Sequence, residues 1–550
     1  MNSLLPANTG SKLAKLILFL LPFAYVFLYA PYGIENNDTG FILGYSWQVL
    51  TGATMYSDII YVRPPASVYL HTIDFINIFG IYAPLFISRV IFYFQIMAYN
   101  LCLIWISKKY FKFENDTALY FSIAFCFIFC VHNFPPMAWH TVDGLFFSVI
   151  GLCFATCPKK DTSPVIYLGA AFLMAAALSK QSFYLIPIGA LVFMLFNNQR
   201  RRALFSALAM TAVAAAFVVH LKATHSLDEY LSLTSGQTSL KDLFDAGIGS
   251  YWEKFKRLSL LTLLPPFIFL AALKRLSPKT NQKESLFLIS VFWLILLCAR
   301  KYLFSEGYAK PGYSIDVVFI VTGFACLYMG IIKKKTEYQM LLLLHLISWS
   351  ASISWGYVTT MLFSSASIMT MAYALLKDSR LVSRSLYSGF ILVFFSGCIV
   401  FYCGYRHPYN LERNTNRSEM NMDMGEIYPS LRFIKGDARS FAEYSEFKIL
   451  HEKYGDNFTV LPSFNLAHAL TKTRNPIGVD WVMNAEINNK APEILHKLEH
   501  DGVVVFVFKN SIAKPETEGK FGSLVTTGVI QGWKKEGEYK FFDVYVDHKK

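Results

Sequence analysis

The 550 residues predict a polytopic α-helical membrane protein with a water-soluble α/β domain outside the membrane at the C-terminal end. Composition is the first reason. Hydrophobic residues make up 54% and charged residues 16%, where a soluble domain carries about 25% charged. Charge placement is the second. Residues 405–550 hold 20 Lys+Arg and 20 Asp+Glu, whereas residues 1–404 hold 31 and 18, so the whole +13 sits in the apolar part. Disorder, collagen, coiled coil and a small disulfide scaffold are excluded. Nucleic-acid binding is excluded once the charge is located along the chain.

A hydrocarbon core of ~30 Å takes about 20 residues of helix. Apolar segments of this kind fall near 13–31, 83–106, 117–133, 142–157, 163–179, 182–197, 203–222, 257–273, 285–299, 313–332, 339–357, 360–376 and 385–404, thirteen spans in all. The loops give the orientation. With the N-terminus in the cytoplasm, the inner loops collect 20 of the 31 basic residues, from Lys12 and Lys15 through Arg200–Arg202 to Arg384. Every loop then obeys the positive-inside rule. An odd number of spans puts residues 405–550 outside, in a periplasm or its equivalent, and the protein in the cytoplasmic (inner) membrane. The domain reading is 1–404 for the transmembrane part and 405–550 for the soluble part. Residues 32–82 form the first outside loop, with apolar spacing that predicts interfacial helices.

The soluble part predicts helices near 440–454 and 491–500. Strand-like runs are Phe458–Leu461, Val503–Phe508 and Lys540–Val546. Alternation of the two types predicts an α/β domain. It carries no glycine-rich phosphate loop and no His/Cys set at metal spacing. The nine cysteines all lie in residues 1–404, in or beside apolar segments, and are read as small buried residues.

Chemistry concentrates in the first outside loop. Asp38 stands just after the first span and before a helical pattern. It suits a helix N-cap, or equally a carboxylate held at the membrane surface as a base or metal ligand. Arg63 precedes Pro64 and Pro65, and its guanidinium at headgroup depth suits a lipid phosphate. Glu35 is a nearby second acid. In the next outside loop His140 and Asp143 are three apart and share a helix face. Lys180 interrupts an apolar run and belongs at the outer surface, since charge at mid-membrane costs ~2.5–3.5 kcal/mol. Arg300 is a basic residue on the outer side, against the usual bias, and an anionic headgroup is one reason for it.

An acid just after the first span, then a helix, then Gly52-Ala-Thr-Met-Tyr56-Ser-Asp58, then Arg63-Pro64-Pro65, resembles the GT-C superfamily of membrane glycosyltransferases. The likeness is to the branch holding the aminoarabinose transferases and protein O-mannosyltransferases. It implies a GT-C-like membrane domain and transfer of a sugar from a polyprenyl-phosphate donor to a glycan, glycolipid or protein acceptor. It implies that Asp38 contacts the acceptor hydroxyl, directly or through a metal, with Asp143 as a second acid. It implies that Arg63 binds the donor phosphate, where Lys180 and Arg300 are further candidates. No cofactor is demanded; a divalent metal, if used, would fall to Asp38 and Asp143. Many relatives carry Asp-Glu where this chain has Asp38-Thr39. The alternatives are a transporter or flippase for an anionic glycolipid, which needs no fixed carboxylate, and an assembly protein working through its soluble part.

Overall fold

The computed structural model describes residues 7–77, 80–113, 116–235, 241, 245–249, 251–252, 316–353, 360–376, 397–398, 401–402, 404–406, 408, 415–511, 519 and 522–548. Helices dominate. α1 (Ala7–Leu28) leads to a short buried helix, α2 (Phe41–Leu50), then α3 (Ala66–Leu70) and a 3-10 turn at His71–Phe75. The long helices α4 (Pro84–Ile106), α5 (Asp116–Val131), α6 (His140–Thr156), α7 (Val165–Ala177), α8 (Leu185–Phe196) and α9 (Arg200–Ala223) follow. After α10 (Leu227–Thr234) come α11 (Asp316–Leu327), α12 (Thr336–Ser352) and α13 (Ser365–Leu376). Among the described residues, three helical stretches are long and apolar enough to cross a membrane: Ser11–Leu28, Pro84–Phe111 and Arg200–Ala223. The expected spans 257–273 and 285–299, and most of 385–404, lie outside the described residues.

Two hydrophobic cores organise the described residues. One is built from α1, α4–α9 and α11–α13, with Tyr25, Phe92, Phe127, Phe129 and Leu344 fully buried in it. The second contains the first loop and the C-terminal part together: Phe41, Tyr45 and Tyr61 belong with Phe447, Phe464 and Phe506. α2 is accordingly buried over most of its surface.

The C-terminal part holds α14 (Ala438–Tyr454), α15 (Ala467–Thr471), α16 (Asn484–Ile487), α17 (Ala491–Asp501) and α18 (Leu524–Gly532). Local signals set their ends. Asp437 caps α14 by accepting from the Ser440 amide at 2.7 Å. α17 starts with Pro492 in its first turn and stops at Gly502, φ 61°. The small hairpin pairs β1 (Met422–Asp423) with β2 (Lys435–Gly436). The main sheet uses β3 (Phe458–Leu461), β4 (Val504–Phe508), β5 (Lys534–Glu538) and β6 (Phe542–Val546), in the order β3-β4-β6-β5. β3 and β4 are parallel and the other pairs antiparallel. A parallel pair needs a crossover, and α17 is its last helix. β5 has mostly exposed residues and lies at the edge, which explains why hydrophobic patterning gives no sign of it.

Backbone contacts stitch the first loop to this part. The buried Arg89 guanidinium donates to the carbonyls of Ala30 (2.7 Å) and Gly33 (2.6 Å), fixing the exit from α1. Tyr32 bridges Lys435, and the Lys435 amide donates to the Pro31 carbonyl at 2.6 Å. Gly40 has φ 142° and lies directly under Leu466, where a side chain would not fit.

Candidate functional site

α2 enters between the membrane helices and the C-terminal part. Its first residue, Phe41, meets Trp139 at 5.4 Å, Trp481 at 5.3 Å, and the Arg63 guanidinium at 5.3 Å. Tyr45 and Tyr61 pack at 4.9 Å beside them. The result is a closely packed aromatic cluster walled by ionisable groups.

Asp38 lies on the turn leading into α2. The N-cap position belongs to Gly40, and the Asp38 backbone carbonyl accepts from the amides of Gly40 (3.0 Å) and Phe41 (3.2 Å). The turn is clamped from both sides. Glu35 is buried and its Oε1 accepts from the Thr39 amide at 2.9 Å. Asn36 donates to Glu443 at 2.8 Å, and Asn37 bonds to Ser463 and Asn465. Asp38 precedes by three residues Phe41, the ring of α2 that meets the Arg63 guanidinium.

Arg63 is held from behind. Tyr56 donates to the Arg63 carbonyl at 2.8 Å, and Gln181 to the Val62 carbonyl at 2.7 Å. Its guanidinium forms a two-pronged ion pair with Glu486 on α16, at 2.5 and 2.6 Å. Burial works against this charge, but Glu486 outweighs it and raises the pKa above the ordinary arginine value.

Lys180 occupies the turn between α7 and α8. It is buried, and its ammonium donates to Thr141 Oγ1 at 3.2 Å and to the Ile353 carbonyl at 2.6 Å. Both partners are uncharged. Burial, and then the charge of Arg63, push its pKa down to about 7. Two cations thus converge from separate elements. His140, the first residue of α6, lies in the same wall, its ring 4.7 Å from Trp139 and 6.2 Å from Phe41.

Asp143, one turn into α6, is fully buried. Its Oδ1 accepts from Gln95 Nε2 at 2.8 Å and from His71 Nε2 at 3.2 Å. His71 Nδ1 meets Asp74 Oδ2 at 2.8 Å. Burial opposes a charge on His71, but Asp74 and Asp143 overcome it and hold the pKa up at about 10. The imidazolium donates from both nitrogens, one to each carboxylate. Asp143 Oδ2 is buried without a hydrogen-bond partner. The Asp143 carboxylate lies within electrostatic reach of Tyr61.

The chain thus gathers Asp38, Arg63, Lys180, His140 and Asp143 around α2, while Arg300 lies outside the described residues. Four participants escaped the sequence reading. His71 and Asp74 share a helical face in the first loop, a visible spacing that carried no motif. Gln95 is a polar residue inside an apolar helix. Glu486 gave no signal, since its partner is 423 positions away. Among the described residues, no group of three or more His, Cys, Asp or Glu is set to hold a metal.

An apolar groove of about 650 Å³ runs between α8, α11 and α12, lined by Val192, Phe196, Phe324, Leu346 and Trp349 among others.

No family model matches the chain, and no curated protein matches it. Among solved structures it is similar to two crystal structures of the Archaeoglobus fulgidus oligosaccharyltransferase. The apo form shares 12% identity at a TM-score of 0.44, over 91% of this chain and 69% of that one. The complex with Zn and sulfate shares 13% at 0.45, over 91% and 68%.

Proposed function

We propose that the protein is a membrane glycosyltransferase moving a monosaccharide from a polyprenyl-phosphate donor to an acceptor hydroxyl at the outer face of the membrane. One observation carries the reading: Lys180 is buried beside Arg63 with only uncharged oxygens as hydrogen-bond partners. Those partners are the ones among the described residues; burying a cation is costly unless a counter-charge arrives, and a phosphate ester is an anion of the right charge. Arg supplies a two-pronged grip and Lys a point charge.

In this reading the donor phosphate exchanges with Glu486 on the Arg63 fork. The prenyl chain follows an apolar groove between helices. The acceptor oxygen attacks the anomeric carbon as the bond from that carbon to the phosphate oxygen breaks. Asp38 orients the hydroxyl and takes its proton. Polyprenyl phosphate leaves with the bonding electron pair, and Arg63 and Lys180 stabilise the charge that grows on it. A single displacement inverts the anomeric centre. Asp143, steadied by His71 and Gln95, is the second acid and orients the sugar. Trp481 and Phe41 offer apolar faces to it. No step needs a metal.

The test is donor turnover by the purified full-length protein. Polyprenyl-phosphate sugars are supplied with a total cell extract as acceptor, and release of free polyprenyl phosphate is followed by mass spectrometry. Wild type releases it. Asp38→Asn binds donor without releasing product, and Arg63→Ala loses donor binding. Undiminished turnover in Asp38→Asn, or none in wild type with any donor, overturns the reading.

A further inference from the structure

A polar pocket lies where the chain passes from α1 into the C-terminal part. It measures about 640 Å³ and is lined by Tyr32, Tyr405, Arg406, Asn416, Arg417, Ser418, Met420, Asn421 and Lys435. Among the described residues that line it three are basic and none is acidic, while Asn416 donates to Glu419 at 2.9 Å.

The pocket has built walls. The Arg417 guanidinium is sandwiched between the rings of Tyr32 (3.7 Å) and Tyr405 (4.0 Å), and its Nη1 donates to the Leu28 carbonyl at 2.5 Å. Leu28 is the last residue of α1, so the floor stands where the apolar helix ends. Tyr32 is fixed by the Arg89 contacts beneath it and by its bridge to Lys435. Tyr405 belongs to the segment that leads out of the last expected span.

We infer that this pocket binds the phosphate headgroup of an anionic phospholipid of the outer leaflet, and so holds the C-terminal part to the membrane surface. Charge is one argument, and it rests on the reading that this part lies outside the membrane: three cations gathered where the apolar helix ends call for an anion, and phosphate is the anion that a bilayer presents at this depth. The second argument selects a lipid over a soluble anion. α1, whose last residue forms the floor, carries exposed apolar side chains: Phe27 is 75% exposed and Phe19 64%. Acyl chains attached to the bound headgroup would lie along them. Asn416, Ser418 and Asn421 supply neutral groups for the glycerol and ester oxygens.

The experiment is native mass spectrometry of the full-length protein released from bilayers containing equal phosphatidylglycerol and phosphatidylcholine. Wild type should retain phosphatidylglycerol preferentially. Arg406→Gln with Lys435→Gln, which leaves the Arg417 stack in place, should cut that preference by about fivefold per cation removed. Lys509→Gln with Lys535→Gln, the two lysines that flank Asp543 on the main sheet, should leave it unchanged. Equal retention of the two lipids by wild type overturns the proposal. So does an equal loss in the sheet control, which would mark general surface charge. The lipid source is overturned if inorganic phosphate binds the lipid-free protein as tightly as phosphatidylglycerol and this binding is lost in the double variant.

Discussion

Arg63 and Glu486 meet in a two-pronged ion pair at 2.5 and 2.6 Å, both largely buried, across 423 positions of sequence. The pair joins the first loop to α16, and it uses the same fork that would grip a phosphate. A carboxylate and a phosphate ester present similar paired oxygens to a guanidinium. Glu486 is therefore a stand-in for the anion and a rival to it.

The rivalry predicts opposite effects on stability and binding. Glu486→Gln removes a buried partner charge and should cost about 3–5 kcal/mol of stability, read as chemical unfolding in detergent. The same change should tighten donor binding, read by titration with polyprenyl-phosphate sugar. If Glu486 merely fixes the guanidinium in position, donor binding will weaken instead. Arg63→Lys should keep the charge but lose the fork, and so bind donor more weakly than wild type.

The Asp74–His71–Asp143 line predicts non-additivity. His71→Ala leaves two buried carboxylates without their shared cation, and should cost about 3–5 kcal/mol. Asp74→Asn in that background should restore part of the loss, since one uncompensated charge is gone. The double-mutant cycle then shows a coupling of about 1–3 kcal/mol. A positioning role for His71 has its own signature. His71→Gln, which can still donate to Asp143, should keep donor KM while lowering kcat. An unchanged kcat would leave His71 a purely structural residue.

Much of this arrangement is written locally, and some of it is not. The helices α1, α4–α9 and α11–α13 follow from apolar stretches bounded by turn residues and basic loops. The strands Phe458–Leu461 and Val504–Phe508 follow from short apolar runs. Such features depend on near neighbours, and a sequence displays near neighbours. Asp38 and Arg63 stood out because acids and bases are scarce beside the first span. Glu486 did not, because an acid in a polar segment is ordinary until the fold brings it to Arg63. The burial of α2 was hidden for the same reason. Its apolar residues suit a membrane surface as well as a protein interior, and only the docking of Leu466 and Asp480 decides between them.

Lys180 predicts a pH dependence. Burial and the Arg63 charge bring its pKa down to about 7, so the ammonium loses its proton as pH rises through that value. On the proposed reading, a protonated Lys180 attracts the donor phosphate and a neutral one does not. Donor affinity should therefore be highest below about pH 7 and fall above it, in a titration at constant ionic strength. Lys180→Met should bind weakly and lose this inflection, because it is uncharged at every pH. An inflection that survives in Lys180→Met would assign the titration to another group.

Gly44 predicts the mechanical link between the two parts. It lies on the face of α2 turned toward the C-terminal part. A Cβ there would stand 2.6 Å from the Asn465 carbonyl oxygen and 2.6 Å from Asp480 Oδ2. The first is a backbone atom and yields only if its loop moves. The second is buried, accepting from Gln48 at 3.0 Å while Asn475 donates to the other oxygen at 2.8 Å. Gly44→Ala should gain about 1 kcal/mol of helix propensity and lose about 1–3 kcal/mol to overpacking. The expected net result is a loosened interface. Limited proteolysis should then cleave near residues 462–466 faster than in wild type, with the helical circular dichroism signal retained. Because those same residues clamp the turn carrying Asp38, turnover should fall with the loosening. A variant as resistant and as active as wild type would mean that the interface accommodates the methyl group, and that α2 is not the rigid strut between the C-terminal part and the aromatic cluster.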